Sequence, residues 1–222
     1  MRQSEFGFDR GDAGEAIVDG AFLLRGRALP CVDELLAGVR GVVEVSPLRH
    51  MITPGGSPMA AAQSNCGALG WVADRRGYRY EACDPETGRA WPAMPAVFAS
   101  LARDAARECG YEGFDPDCCL LNRYEVGCGM GQHVDADEQD FAWPIVSVSL
   151  GLPMTFRFGG VERGGKTLPV VLEHGDVLVF GGAARRRYHG TSPLRRGVHP
   201  VLGACRVNLT FRRAGVVALP RD

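Results

Sequence analysis

The sequence has no apolar run that approaches the length of a membrane span. Its longest apolar stretches, such as 16–24 and 170–172, are cut by Asp19 or stopped by Glu173. It has almost no net charge: 25 Lys and Arg stand against 26 Asp and Glu. A uniformly basic coat for nucleic acid is thereby excluded, although a local basic patch is not. The eight cysteines contain no CxxC pair, so a zinc finger lacks its paired ligands. Neighbouring Cys118 and Cys119 project to opposite sides of any strand, and the cysteines read as small buried hydrophobes in a reducing compartment. The opening MRQSEFGFDRGDAGE has no apolar core of an export signal. These absences predict a cytoplasmic protein with no membrane partner. No internal repeat, low-complexity tract or Pro/Ser linker divides the chain. The expectation is one domain over 15–213, after a flexible lead-in at 1–14 and before a tail at 214–222.

What is present is ordinary for a globular protein, with 45% apolar and 23% charged residues. Thirty glycines and fourteen prolines break the chain into short elements. Apolar runs between turn residues predict strands at 16–24, 59–64, 118–124, 145–150, 155–158, 170–172, 177–180 and 207–211. Two segments carry helical spacing instead. In 31–41 it comes from Val32, Leu35, Leu36 and Val39, with Gly41 available to close the helix. In 95–109 it comes from Val97, Phe98, Leu101, Ala105 and Ala106, ended by Gly110. Early helices followed by many short strands favour a mainly β, α+β fold: a helix-flanked antiparallel sandwich or barrel.

The segment His133-Val134-Asp135, with His189 far downstream, is the strongest chemical signal. In an extended chain residues two apart share a face, so His133 and Asp135 can grip one ion. A distant second imidazole would complete two histidines and one carboxylate, the open set of non-haem Fe(II) oxygenases. A hydrogen-bonded surface histidine beside a solvated acid is the competing interpretation. His50, His174 and His199 compete as ligands, although His174-Gly175-Asp176 and His199-Pro200 read as turns. The strand Arg206-Val207-Asn208-Leu209-Thr210-Phe211-Arg212 alternates polar and apolar residues. Facing outward, its polar row is a solvated surface. Facing inward, two guanidiniums require anionic partners, and a dicarboxylate suits two Arg forks. Asn122 and Tyr124 could add neutral donors to the same ligand.

The segments MITPGG, SNCGALGW, DPETGRAWPAMP, LLNRY, HVDADE, PIVSVSLGLP, LEHGDVLVFGG, YHG and CRVNLTFR together make the sequence recognisable. From about residue 16 to 213 it resembles the AlkB family of Fe(II)/2-oxoglutarate-dependent dioxygenases. The resemblance implies a double-stranded β-helix (jelly roll) at about 115–213 and a nucleotide-recognition lid at about 45–90. It implies one Fe(II) per chain, held by His133, Asp135 and His189, with 2-oxoglutarate and O2 as cosubstrates. Asn122, Tyr124, Arg206, Asn208 and Arg212 would hold 2-oxoglutarate. Trp71 would stack on a flipped-out damaged base, with Tyr78, Tyr80 and Arg163 completing the lid and Asp137 at the base edge. The implied partner of this monomer is alkylated DNA, single-stranded or duplex, with RNA as a second candidate. The implied reaction is oxidative demethylation of bases such as 1-methyladenine and 3-methylcytosine. Ala136, where some relatives are basic, removes one phosphate contact. Arg185–Arg187, with Arg75, Arg76 and Arg79, could meet DNA phosphates despite the near-neutral total charge. Two rival functions are a hydroxylase of a protein or small molecule and a noncatalytic damaged-base binding module.

Overall fold

The computed structural model describes residues 14–215; most of the expected lead-in and tail, residues 1–13 and 216–222, lie outside the described residues. In chain order the first strands are β1 (Glu15–Val18), β2 (Ala21–Leu24), β3 (Ala62–Gly67), β4 (Gly70–Asp74), β5 (Gly77–Glu81) and β6 (Cys118–Glu125). They are followed by β7 (Met130–His133), β8 (Ile145–Gly151), β9 (Met154–Phe158), β10 (Leu168–Leu172), β11 (Val177–Phe180), β12 (His189–Thr191) and β13 (Cys205–Arg212). Two helices, α1 (Val32–Val45) and α2 (Ala96–Glu108), precede the strand-rich half. None of the described helices is long and apolar enough to cross a membrane.

A seven-stranded sheet has the order β1-β2-β11-β8-β13-β6-β3, and a four-stranded sheet the order β10-β9-β12-β7. The mainly β, jelly-roll expectation is met, with β4 and β5 forming a separate two-stranded hairpin.

Alternation along β13 decides what each side of the large sheet does. Val207, Leu209 and Phe211 pack with Val146, Val148 and Leu150 of β8 and Cys119 and Leu121 of β6, under the apolar face of α2. Arg206, Asn208, Thr210 and Arg212 point the other way and line a cavity. All eight β13 residues are buried, so the polar row lies inside rather than on a solvated face. Phe98 of α2 is fully buried and meets the Phe211 ring edge-on at 6.0 Å. Phe98→Ala is expected to lower unfolding free energy by about 3–5 kcal/mol through lost transfer energy and a cavity. Urea denaturation checks this, and a loss under about 1 kcal/mol would contradict the packing described.

Several boundaries differ from the sequence reading, each for a local reason. The strand expected at 16–24 is the hairpin β1–β2, because Asp19-Gly20 turns with Gly20 at φ +78°. A side chain at Gly20 would also strike the Gly181 carbonyl oxygen, 2.4 Å from its ideal Cβ. Helix α1 does not close at Gly41 but continues to Val45, held by the buried Val42. Gly110 does end α2: at φ +83° it lets its own N–H reach Arg107 O and the Tyr111 N–H reach Ala106 O, both 2.9 Å, a Schellman closure. The strand expected at 59–64 is displaced to β3. Of the cysteines, Cys66, Cys118, Cys119 and Cys205 are buried, Cys83 is exposed, and all eight are free.

Candidate active site

β7 and β12 are hydrogen-bonded neighbours whose register sets His133 directly opposite His189. The imidazole centroids are 4.5 Å apart. The strand reading of Asp135 needs correction: β7 ends at His133, and Asp135 stands on the loop that follows. Its carboxylate nevertheless lies between the rings, 3.6 Å from His133 Nε2 and 3.7 Å from His189 Nε2. One ligand atom from each residue falls within 4.8 Å of the others.

The second ring nitrogens fix the tautomers. His133 Nδ1 meets Gly131 O at 2.9 Å and His189 Nδ1 meets Arg187 O at 3.1 Å, so each Nδ1 carries its proton and each Nε2 lone pair faces the centre. Burial pushes the His189 pKa down to about 4, against the pull of Asp135, so the ring is neutral. Burial alone would raise the Asp135 pKa. Arg212 and the two imidazoles outweigh it and hold the carboxyl well below the usual carboxylate range. Two imidazoles with Nε2 toward the centre and one carboxylate, with no fourth side chain in the set among the described residues, fit a divalent ion with open positions.

The triad opens into a cavity of about 330 Å³. Of the residues expected to act, all but Tyr80 and Arg163 line it. On the floor, Gln63 donates to Asn122 Oδ1 at 2.9 Å, and Asn208 donates to Ser147 Oγ at 2.8 Å. Thr210 completes the row by donating to Asn208 Oδ1 at 2.7 Å. Tyr124 is buried, and desolvation pushes its pKa up to about 12, so it stays a phenol.

The two arginines differ sharply. Arg212 donates to Asp135 Oδ2 at 2.8 Å and pairs with Glu138 Oε1 at 3.0 Å. Arg206 is 2% exposed and, among the described residues, donates to Ser149 Oγ at 2.7 Å and finds no partner for Nε or Nη1. Burial pushes its pKa down to about 10, with Tyr124 and Asp176 opposing, so it is a cation at neutral pH. A buried cation without a facing carboxylate calls for an anion from outside the chain.

The cavity mouth is aromatic. Trp71 stacks on Tyr78 with centroids 5.5 Å apart and planes 11° from parallel. Its indole donates to Asp137 Oδ2 at 2.8 Å. Its backbone is pinned by Asn65, which donates to Trp71 O at 2.9 Å and accepts from Trp71 N at 3.0 Å. Tyr80 does not line the cavity; it donates to Glu138 Oε1 at 2.8 Å. Arg163 lies exposed on the β9–β10 loop. Of the run 185–187 only Arg186 is exposed; Arg185 is buried, and half-buried Arg187 donates to Gly159 O.

The family model described as 2OG-Fe(II) oxygenase superfamily matches residues 30–212. The chain belongs to this superfamily. It is 49% identical over 201 residues to the alpha-ketoglutarate-dependent dioxygenase AlkB of Escherichia coli (strain K12), covering 90% of this chain and 93% of that one. The protein of the same name from Salmonella typhimurium is 50% identical over 200 residues, with the same coverage. A solved structure titled "The structure of OsALKBH1" superposes with a TM-score of 0.72 at 28% identity, over 87% of this chain and 96% of that one. Membership makes the protein an Fe(II)/2-oxoglutarate-dependent dioxygenase. The family uses a metal and a dicarboxylate, and His133, Asp135 and His189 form a possible metal site in the cavity that Arg206 also lines.

Sequence reasoning missed Glu138 and Gln63 and read Arg185 as a phosphate-facing surface charge, whereas it is buried. Glu138 sits in the acidic run DADEQD and Arg185 in a basic run, where side chains ordinarily face water. Gln63 lies just past a misplaced strand start. Only the tertiary pairing of the two buried charges distinguishes them from their exposed neighbours.

Proposed function

We propose that this protein is an oxidative demethylase of N-alkylated bases such as 1-methyladenine and 3-methylcytosine. It acts as a cytoplasmic monomer on DNA, with RNA as a second substrate to be tested. The observation that carries the reading is an unpaired, buried Arg206 in the same cavity as the two-His, one-Asp triad, beneath an aromatic mouth. His133, Asp135 and His189 would hold Fe(II). Asn122, Tyr124, Arg206, Asn208 and Arg212 would hold 2-oxoglutarate, Arg206 at its distal carboxylate and Arg212 nearer the metal. When bound with O2, these groups supply a hydroxylation: one oxygen atom enters the N-methyl carbon, the other enters succinate, and CO2 leaves. The N-hydroxymethyl product then loses formaldehyde and restores the base N–H.

The chain's own residues hold the base and exclude water. Extracting a base from its stack costs a few kcal/mol, which stacking of about 1–3 kcal/mol partly offsets. Trp71 would supply that face within a lid at about 45–90, with His133 approaching the other side. A methylated adenine or cytosine ring is cationic, so the Trp71 π face and the Asp137 carboxylate favour it over the undamaged base. Asp137 Oδ2 already holds the indole, which leaves Oδ1 for the base edge. Tyr78 backs Trp71, Tyr80 anchors the hairpin from below, and Arg163 would approach the strand from the β9–β10 loop.

The test is formaldehyde release from a 1-methyladenine oligonucleotide with Fe(II) and 2-oxoglutarate. Formaldehyde equal to succinate is the expected result; succinate formation unmoved by methylated DNA or RNA but stimulated by peptide would overturn the reading. Trp71→Ala is expected to raise KM for the oligonucleotide about 10-fold or more through lost stacking. A steady-state titration reads this, and an unchanged KM would remove Trp71 from base binding.

A further inference from the structure

We infer that Arg185 is a positioning residue that fixes the backbone of the metal-ligand loop, an inference that rests on the proposed role of Asp135 as a ligand. The loop from 134 to 144 connects β7 to β8 and lies outside any helix or strand. Among its described residues, Gln139 N reaches Ala214 O at 3.1 Å and Ala142 N reaches Asp140 Oδ1 at 2.8 Å. Trp71, Tyr80 and Arg212 hold side chains of the loop, and Arg185 takes two of its backbone carbonyls. Its side chain is 2% exposed and lies directly after the short turn Gly182–Ala184. Its Nη1 donates to Asp135 O at 2.8 Å, its Nε donates to Trp143 O at 3.2 Å, and its Nη2 meets Glu138 Oε2 at 2.9 Å. Its guanidinium carbon lies 5.1 Å from the centroid of the Phe141 ring.

Two backbone carbonyls accept from the one guanidinium while a carboxylate sits within ion-pair distance of it, a set that suits the several fixed donors and permanent charge of arginine. Asp135 is therefore held twice: its carbonyl by Arg185, its carboxylate by Arg212. Glu138 joins the two arginines, with Oε2 on Arg185 and Oε1 on Arg212. The same Oε1 accepts from Tyr80 on β5, so the clamp also fastens the hairpin that carries Trp71. Arg185 does not line the cavity; it acts through Asp135. Partners behind metal ligands typically govern 10–100-fold of metal affinity or activity.

Mn(II), titrated into the full-length protein and followed by the EPR signal of free ion, reports the clamp without turnover. Arg185→Met is expected to weaken Mn(II) binding about 10-fold or more. It is also expected to shift the visible absorption of the anaerobic Fe(II)–2-oxoglutarate complex. The double variant R185M/E138Q restores local charge balance, so melting temperature should recover while metal affinity stays low. Affinity that recovers together with stability, or a folded R185M that binds Mn(II) within twofold of wild type, would overturn the inference. If R185M does not fold, Arg185→Lys decides. Lysine keeps the charge beside Glu138 but has no fork to hold both the Asp135 and Trp143 carbonyls, so weakened Mn(II) binding supports the clamp and unchanged binding overturns it. Failure of the wild-type chain to bind metal would instead sink the metal assignment itself.

Discussion

His133→Ala is expected to reduce 2-oxoglutarate-dependent formaldehyde release to background while leaving the fold intact. The bound metal contributes several kcal/mol of transition-state stabilisation, so its loss predicts a drop of about 1,000-fold or more. The fold should tolerate the change because β7 is an edge strand joined to the sheet through backbone hydrogen bonds with β12. The His133 side chain is also 37% exposed. Removing it deletes one Nε2 donor and the ring that would face Trp71 across the base, but no core contact. Formaldehyde release, succinate release and thermal melting on the same preparation separate these effects. A variant with near-normal turnover would show that the iron lies elsewhere. A variant that unfolds would show that His133 is structural.

How much of this was readable in advance depended on whether a residue's surroundings lay within its own segment. β13 was legible because period-two alternation over eight residues puts Arg206 and Val207 on opposite faces, and both faces proved buried. Helix α2 was legible from its apolar spacing and the glycine that closes it. The β4–β5 hairpin was not: Gly70–Asp74 and Gly77–Glu81 carry charges and aromatics on strands that are largely half-buried, without a clean alternation. β7 and β12 are four and three residues long, too short for any period, although they create the triad by pairing His133 with His189. The residues behind the site were hidden for a further reason. Glu138 and Arg185 look like solvated charges and become interior only because each supplies the other's counter-charge across 47 positions of sequence.

Arg206→Met should separate cosubstrate binding from metal binding, and it should do so in a protein at least as stable as the wild type. The guanidinium is fully enclosed, with Ser149 Oγ as its acceptor and two nitrogens without partners. A buried charge left this way costs folding free energy, and an apolar side chain of similar length removes that cost. The same unpaired nitrogens are what a distal carboxylate would fill. Two charge-assisted hydrogen bonds of about 1.5 kcal/mol or more each predict a rise of roughly 100-fold in the 2-oxoglutarate KM. Mn(II) affinity should not change, because Arg206 stands six residues along β13 from Arg212, about 20 Å of strand away from the residue that touches Asp135. Arg206→Lys should fall between, keeping the charge but losing the fork. Stability and cosubstrate affinity thus move in opposite directions at one position, as expected where an unpaired charge is kept for a ligand. A variant that loses stability while its 2-oxoglutarate KM stays within twofold of wild type would show that Arg206 serves the fold rather than the dicarboxylate.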